Sequence, residues 1–186
     1  MRGVGEKRHA LADRGNDLYE TPAIAVERLL TAEKIPEHIW EPACGPGAIA
    51  RVLRAAGRRV IATDLVDYES PDQDQGGWNF LLEQVAPEGV QAIVTNPPFK
   101  IAGAFAVHAL ELCPRVILLL RLAFLESKGR TDILESGHLA RVHVFRKRLP
   151  MMHRAGWKGP RTTSTMAFAW FCWDREHRGP TTLHRL

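Results

Sequence analysis

Residues 38–64 read HIWEPACGPGAIARVLRAAGRRVIATD, and this stretch decides the fold. HIWE predicts a short strand, which PACGPG ends because Pro and Gly break a regular ladder. GAIARVLRAAG predicts a helix closed by Gly57. RRVIATD predicts a second strand, rich in β-branched residues and ending in Asp64. Two strands joined through a helix in this way lie parallel in one sheet.

The pattern continues on both sides. Downstream, VQAIVTN predicts a third strand running into Pro97-Pro98, and residues from about Ile101 to Leu112 predict a helix with Phe105, His108, Ala109 and Leu112 on one side. RVILLLR (115–121) is an unbroken apolar run, as in a strand buried on both faces. Upstream, AIAVERLLTAEK predicts a helix with Thr21 as N-cap and Pro22 at its first position. Asp67 to Gly77 is rich in turn residues. After the alternation, VHVFRKRL (142–149) and TMAFAWFCWD (165–174) read as two strands joined by a loop, hence antiparallel. The expected fold is α/β. It has a mostly parallel sheet of about seven strands, helices on both faces and an antiparallel last strand. The whole of 1–186 reads as one domain, with 1–18 a mobile arm.

Hydrophobic residues make up 45% of the 186, enough for a core. No run of about 18 apolar residues suggests a membrane span, and the start of the chain lacks a secretory pattern. Cys44, Cys113 and Cys172 are odd in number and far apart, which suits neither a disulfide framework nor a zinc site. A reducing cytoplasm is the natural reading, with no metal. Net charge is +4, unevenly placed. From residue 140 onward ten Lys and Arg stand against two acidic residues, so this part carries +8 and the rest −4. Such a distribution suits a polyanionic partner.

Three segments carry chemistry. Glu41-Pro42-Ala43-Cys44-Gly45-Pro46-Gly47 sits at the carboxyl end of a strand, where doubly wound sheets bind ligands. It has neither the GK[ST] of a Walker loop nor GxGxxG, and Glu41 suits a cationic ammonium group. Asp64, about 20 residues on, can accept hydrogen bonds from both hydroxyls of a ribose. Asn96-Pro97-Pro98-Phe99 follows the third strand. Its two prolines remove backbone donors and leave acceptors, the Asn96 side-chain oxygen and the Pro97 carbonyl, which together can hold an –NH₂ group. Phe99 offers a flat face for a base.

Together these segments resemble the amino-methyltransferases of the Rossmann-like S-adenosylmethionine class over most of residues 17–125. The resemblance implies the class I methyltransferase fold, with S-adenosyl-L-methionine as cofactor. Asn96, Pro97, Pro98 and Phe99 match the motif that holds the target amine. Thr21 and Pro22 match a TP segment that closes over the cofactor, with Tyr19 as an aromatic neighbour. Glu41, Cys44, Gly45 and Gly47 match the cofactor loop, and Asp64 matches the ribose-binding position. Asn79 and Phe80 fall where the family often has Asp-Phe, the acidic residue accepting a bond from the cofactor's adenine amine. Asn79 is a departure, since an amide oxygen makes a weaker bond than a carboxylate; it can equally be a turn residue. The order of motifs resembles the gamma arrangement of DNA adenine methyltransferases, and the chain is similar to compact phage or prophage members. That implies N6-methylation of adenine in DNA. After Leu125 only some 60 residues remain, too few for a separate target-recognition domain.

The basic strand and loop at 140–165 is the expected nucleic-acid contact: Arg146, Lys147, Arg148, Arg154, Lys158 and Arg161 for phosphates, and Trp157 to stack or wedge. Alternation places Arg146 and Arg148 on one strand face and Lys147 on the other. The partner is nucleic acid, DNA ahead of RNA, and the protein a monomer or homodimer. Alternative readings are the same reaction on RNA adenine, methylation of a protein glutamine amide, and a non-catalytic nucleic-acid-binding module. No histidine receives a role.

Overall fold

The computed structural model of the chain describes residues 18–150 and 166–186. Helix α1 (Ala23–Ala32) precedes strand β1 (His38–Glu41), helix α2 (Ala48–Ala55) and strand β2 (Arg59–Ala62). Strand β3 (Ala92–Thr95), helix α3 (Ala102–Leu112) and strand β4 (Arg115–Arg121) follow. A short helix α4 (Thr131–Leu134) leads to strands β5 (Leu139–Val144), β6 (Phe168–Asp174) and β7 (Thr182–Arg185). All seven strands form one sheet in the order β2-β1-β3-β4-β6-β5-β7. Strands β1 to β4 pair parallel, β6 pairs antiparallel with β4 and β5, and β7 pairs parallel with β5. One strand, β6, therefore opposes the other six. Strand β7 was not expected from sequence; its residues are all exposed, so no apolar pattern marks it.

The unbroken apolar run of β4 is explained by burial on both faces. Ile117 and Leu119 join α1 and α2 in one core layer, while Val116, Leu118 and Leu120 pack with α3 in the other. Strand β6 divides likewise, Trp170 to the first layer and Trp173 to the second. Both indoles are fully buried and satisfied: Trp170 Nε1 donates to the Ala25 carbonyl at 2.9 Å and Trp173 Nε1 to the Ile133 carbonyl at 2.9 Å. A large buried side chain contributes roughly 1.5–3 kcal/mol, and the paired N–H avoids a desolvation penalty of similar size.

Two local expectations are corrected. Thr21 does not cap α1. Pro22, with extended ψ of 140°, takes the N-cap place, and its carbonyl accepts from the Ala25 amide at 2.9 Å. The Thr21 hydroxyl is turned to Asn96 instead. Strand β5 ends at Val144, so Arg146, Lys147 and Arg148 are not sorted onto two faces; all three are exposed beyond it. The chain bends there because a run of three cations has no apolar position to bury, and the Arg146 amide pairs with the Leu186 carbonyl at 2.9 Å.

Candidate functional site

A cleft of about 830 Å³, counted to its open mouth, lies at the carboxyl ends of β1, β2 and β3. That is within the ordinary range for a small-ligand site. Tyr19, Thr21, Glu41, Cys44, Gly45 and Asp64 line it, as do Asn79, Phe80, Asn96 and Pro98. Residues far apart in sequence thus meet as expected. Gly47, Pro22, Pro97 and Phe99 are not part of this lining.

The loop after β1 takes its shape from two glycines in the left-handed region, Gly45 at φ 53° and Gly47 at φ 88°. A Cβ on Gly47 would lie 2.4 Å from Asp72 Cβ, so only glycine fits. Asp72 belongs to the turn-rich segment, which packs against this loop. Arg51 Nε pairs with Asp72 at 2.7 Å, Arg54 with Asp74 at 2.6 Å, and Ser70 Oγ donates to the Pro46 carbonyl at 2.7 Å. This segment and the residues flanking it supply lining residues that sequence reasoning missed: Leu65, Val66, Tyr68 and Trp78. Aromatic residues inside a turn-rich stretch were the available signal. Burial, helped by the charge of Asp64, pushes the Tyr68 hydroxyl up to about 12, so it serves as a neutral hydrogen-bonding group. Trp78 Nε1 is a buried donor with no partner among the described residues.

Two of the carboxyls that line the cleft are Glu41 and Asp64. Glu41 is 1% exposed, and its Oε2 has no hydrogen-bond partner among the described residues. Burial holds its pKa well above the usual carboxyl range, and the nearby charge of Asp64 adds to that; the Ala50 amide offsets it only in part. Asp64 Oδ2 accepts from the Gly45 amide at 2.8 Å and Oδ1 from the Val66 amide at 2.9 Å. Burial raises its pKa too, against these backbone donors. Each Asp64 oxygen keeps a lone pair for a ligand hydroxyl. The Cys44 thiol donates to the Gly45 carbonyl at 3.2 Å, and burial raises its pKa further, so it is no nucleophile. Asn79 Oδ1 accepts from the Leu81 amide at 3.2 Å, capping a single 3₁₀ turn at Phe80–Leu82. Phe80 is 3% exposed and stacks on Phe105 with centroids 4.2 Å apart, so it closes the cleft floor as part of the core.

Asn96 is held from the N-terminal segment. Its Nδ2 donates to the Tyr19 carbonyl at 3.0 Å and to Thr21 Oγ1 at 3.2 Å. A carbonyl can only accept, which fixes which end of the amide is nitrogen. The other end, Oδ1, is buried and has no partner among the described residues. The arrangement is an acceptor at the carboxyl end of β3, waiting for a donor. Phe99 packs with Tyr19 (centroids 4.9 Å) and Phe168 (5.5 Å), and the Arg121 guanidinium lies over its ring 4.6 Å from the centroid.

Of the basic residues expected to meet nucleic acid, Arg146, Lys147 and Arg148 are exposed. Arg154, Trp157, Lys158 and Arg161 lie outside the described residues. Among the described residues Glu33, His143 and Cys172 form a buried group with a metal ligand's spacing. Glu33 is already bonded by His143 at 2.7 Å, by Arg115 at 3.0 Å and by Arg141, which makes it an ion-pair hub. No helix of the described residues is long and apolar enough to cross a membrane.

No family model and no curated protein matches the sequence. Solved structures do match the fold. A candidate class I S-adenosylmethionine-dependent methyltransferase from Listeria monocytogenes superimposes with a TM-score of 0.63 at 11% identity, over 97% of this chain and 68% of that one. A candidate RNA methyltransferase from Pyrococcus horikoshii gives 0.59 at 14% identity, over 90% of each chain. The modification subunit of a candidate type I restriction enzyme from Vibrio vulnificus gives 0.61 at 15% identity over 90% of this chain, which spans 47% of that subunit. The chain has the Rossmann-like class I methyltransferase fold.

Proposed function

We propose that the chain transfers the methyl group of S-adenosylmethionine to the exocyclic 6-amino group of adenine in DNA. The reading is carried by Asn96, whose amide is pinned by its nitrogen and presents a buried, unpartnered Oδ1 beside the cleft. An acceptor in that state suits an –NH₂ donor.

The cleft fits the cofactor by the chemistry of its donor set. The orphaned Glu41 Oε2 suits an ammonium group, and Asp64 at the end of β2 suits ribose hydroxyls. When bound, S-adenosylmethionine supplies a methyl group on a sulfonium, already a strong electrophile. The residues of the chain hold and orient. Asn96 Oδ1 and the Pro97 carbonyl accept both protons of the amine and draw its lone pair out of conjugation with the ring. Fixed acceptors and positioning contribute most in such a site. The base reaches it by leaving its stack, with Phe99 alongside. The exposed Arg146, Lys147 and Arg148, with the basic residues up to Arg161, meet phosphates.

The matched length of the Pyrococcus RNA methyltransferase favours one second reading, the same reaction on adenine in RNA. Labelled S-adenosylmethionine offered with unmethylated DNA or bulk RNA, followed by nucleoside analysis, tests both. N6-methyladenine in DNA is the expected product. Label in RNA alone transfers the mechanism to the second reading, and label in neither, with cofactor bound, sinks both.

A further inference from the structure

Arg121, the last residue of β4, is half-buried beside the proposed target site. Its guanidinium lies 4.6 Å from the centroid of Phe99, the last residue of the amine-holding motif. Its backbone pairs with Phe168, which also touches Phe99. Among the described residues the guanidinium has no ion pair and no hydrogen bond, and its Nε is fully buried without an acceptor. Two other arginines of the sheet, Arg115 and Arg141, are by contrast satisfied, both by Glu33.

A buried charged donor without an acceptor is costly, and an anionic ligand is one group that can complete it. Arg121 does not line the cleft that would hold the cofactor. The missing acceptor therefore comes from the substrate side. A planar guanidinium fixed on a ring, with its edge donors open, matches the paired oxygens of a phosphodiester. A glutamine side chain brings no such anion.

We propose that Arg121 is a specificity-determining residue that binds the phosphodiester next to the target base, so that the site admits a nucleotide rather than a neutral amide. This rests on the nucleic-acid reading above and deepens it.

The test is labelled methyl transfer to unmethylated DNA over a range of salt concentrations, comparing wild type with R121Q and R121K. Removing one cation from a phosphate of duplex DNA lowers the slope of log(1/KM) against log[salt] by about 0.9. R121Q is expected to show that smaller slope and to raise KM about tenfold at low salt, with the affinity for S-adenosylmethionine unchanged. R121K, which keeps the charge without the planar fork, is expected to keep the slope and recover only part of the affinity. Cofactor binding and a thermal melt of each variant report folding, and R121K retains the test if R121Q is unstable. An unchanged slope in both variants, with only kcat altered, would mean that Arg121 merely props Phe99 and overturns the proposal. Wild-type protein that methylates neither DNA nor RNA removes the underlying reading, an outcome visible before any variant is compared.

Discussion

Glu41→Gln separates the cost of a buried carboxyl from its use. Glu41 is 1% exposed, and burial raises its pKa well above the ordinary 4.5. Below that ordinary value both folded and unfolded chains carry the proton, and no pH dependence arises. Above it the unfolded chain ionises while folded Glu41 keeps its proton, so the native state binds one proton more. Stability then falls as pH rises, by about 1.4 kcal/mol per pH unit for one group, until Glu41 itself ionises. The glutamine variant has no such dependence at this position. Asp64, raised in the same direction, is common to both proteins. Between the ordinary carboxyl range and the pH at which folded Glu41 ionises, the variant should therefore gain about 1.4 kcal/mol on wild type per pH unit, or roughly 3–6 °C in Tm per unit for a domain of this size. The cofactor's ammonium should bind the ionised form. Wild-type affinity for S-adenosylmethionine should thus tighten up to about tenfold per pH unit, while the variant binds weakly and without that dependence. Thermal melts across pH and calorimetric titration read both quantities. Parallel stability curves for the two proteins would refute the reasoning, because Glu41 would then be ionised in the fold throughout.

Asn96→Ala should reduce kcat by a factor of about 10²–10³ with cofactor affinity nearly unchanged; abolished cofactor binding in a folded variant would contradict the role assigned to Asn96. Thr21→Val should lower kcat about tenfold by releasing one hydrogen bond on the Asn96 amide, and Thr21→Ser should restore it; an equal decrease in both would place the effect elsewhere. Gly47→Ala should destabilise by about 2 kcal/mol or more, through a strained φ and the clash with Asp72, and a melt at wild-type temperature would rule that out. Glu33→Ala should cost about 3–5 kcal/mol, since it strands Arg115, Arg141 and His143 together. In wild type, burial alone would raise the Glu33 pKa, but its hydrogen bonds from His143 and Arg141 outweigh this and hold it at about 2. Its contribution is therefore fully present above about pH 4.5 and disappears as pH falls through 2. Acid titration of stability in wild type and variant should converge there.

The sheet was legible where its residues are buried on both sides. RVILLLR and AFAWFCWD carry their burial in their composition, and the Gly-rich turn between HIWE and the next helix announces parallel pairing. The TLHR strand was not legible, because an exposed edge strand needs no apolar pattern and owes its place to β5. The RKR run misled for the converse reason: alternation of charge with charge sorts nothing between core and solvent. The candidate site residues were named one by one from motifs, but the contacts the structure gives them were not. Nothing local tells that Thr21 turns to a side chain 75 residues away, or that the loop around Asp72 locks Gly47. Such contacts follow from the sheet order, which only the fold supplies.

The same contacts explain why the acceptor on Asn96 can be fixed before any ligand arrives. Tyr19 and Thr21, which hold the amide nitrogen, directly precede α1. That helix is fastened at its start by the Trp170 bond to the Ala25 carbonyl, and at its end by Glu33, which joins Arg115 of β4 to Arg141 and His143 of β5. The buried ion-pair hub and the Asn96 contacts thus lie at the two ends of one helix. Glu33 follows α1, and the segment before α1 carries the Tyr19 carbonyl and Thr21 hydroxyl that bond the Asn96 amide nitrogen. A group fixed in this way needs no reorganisation when a donor enters, which is the condition under which an acceptor is most effective in catalysis.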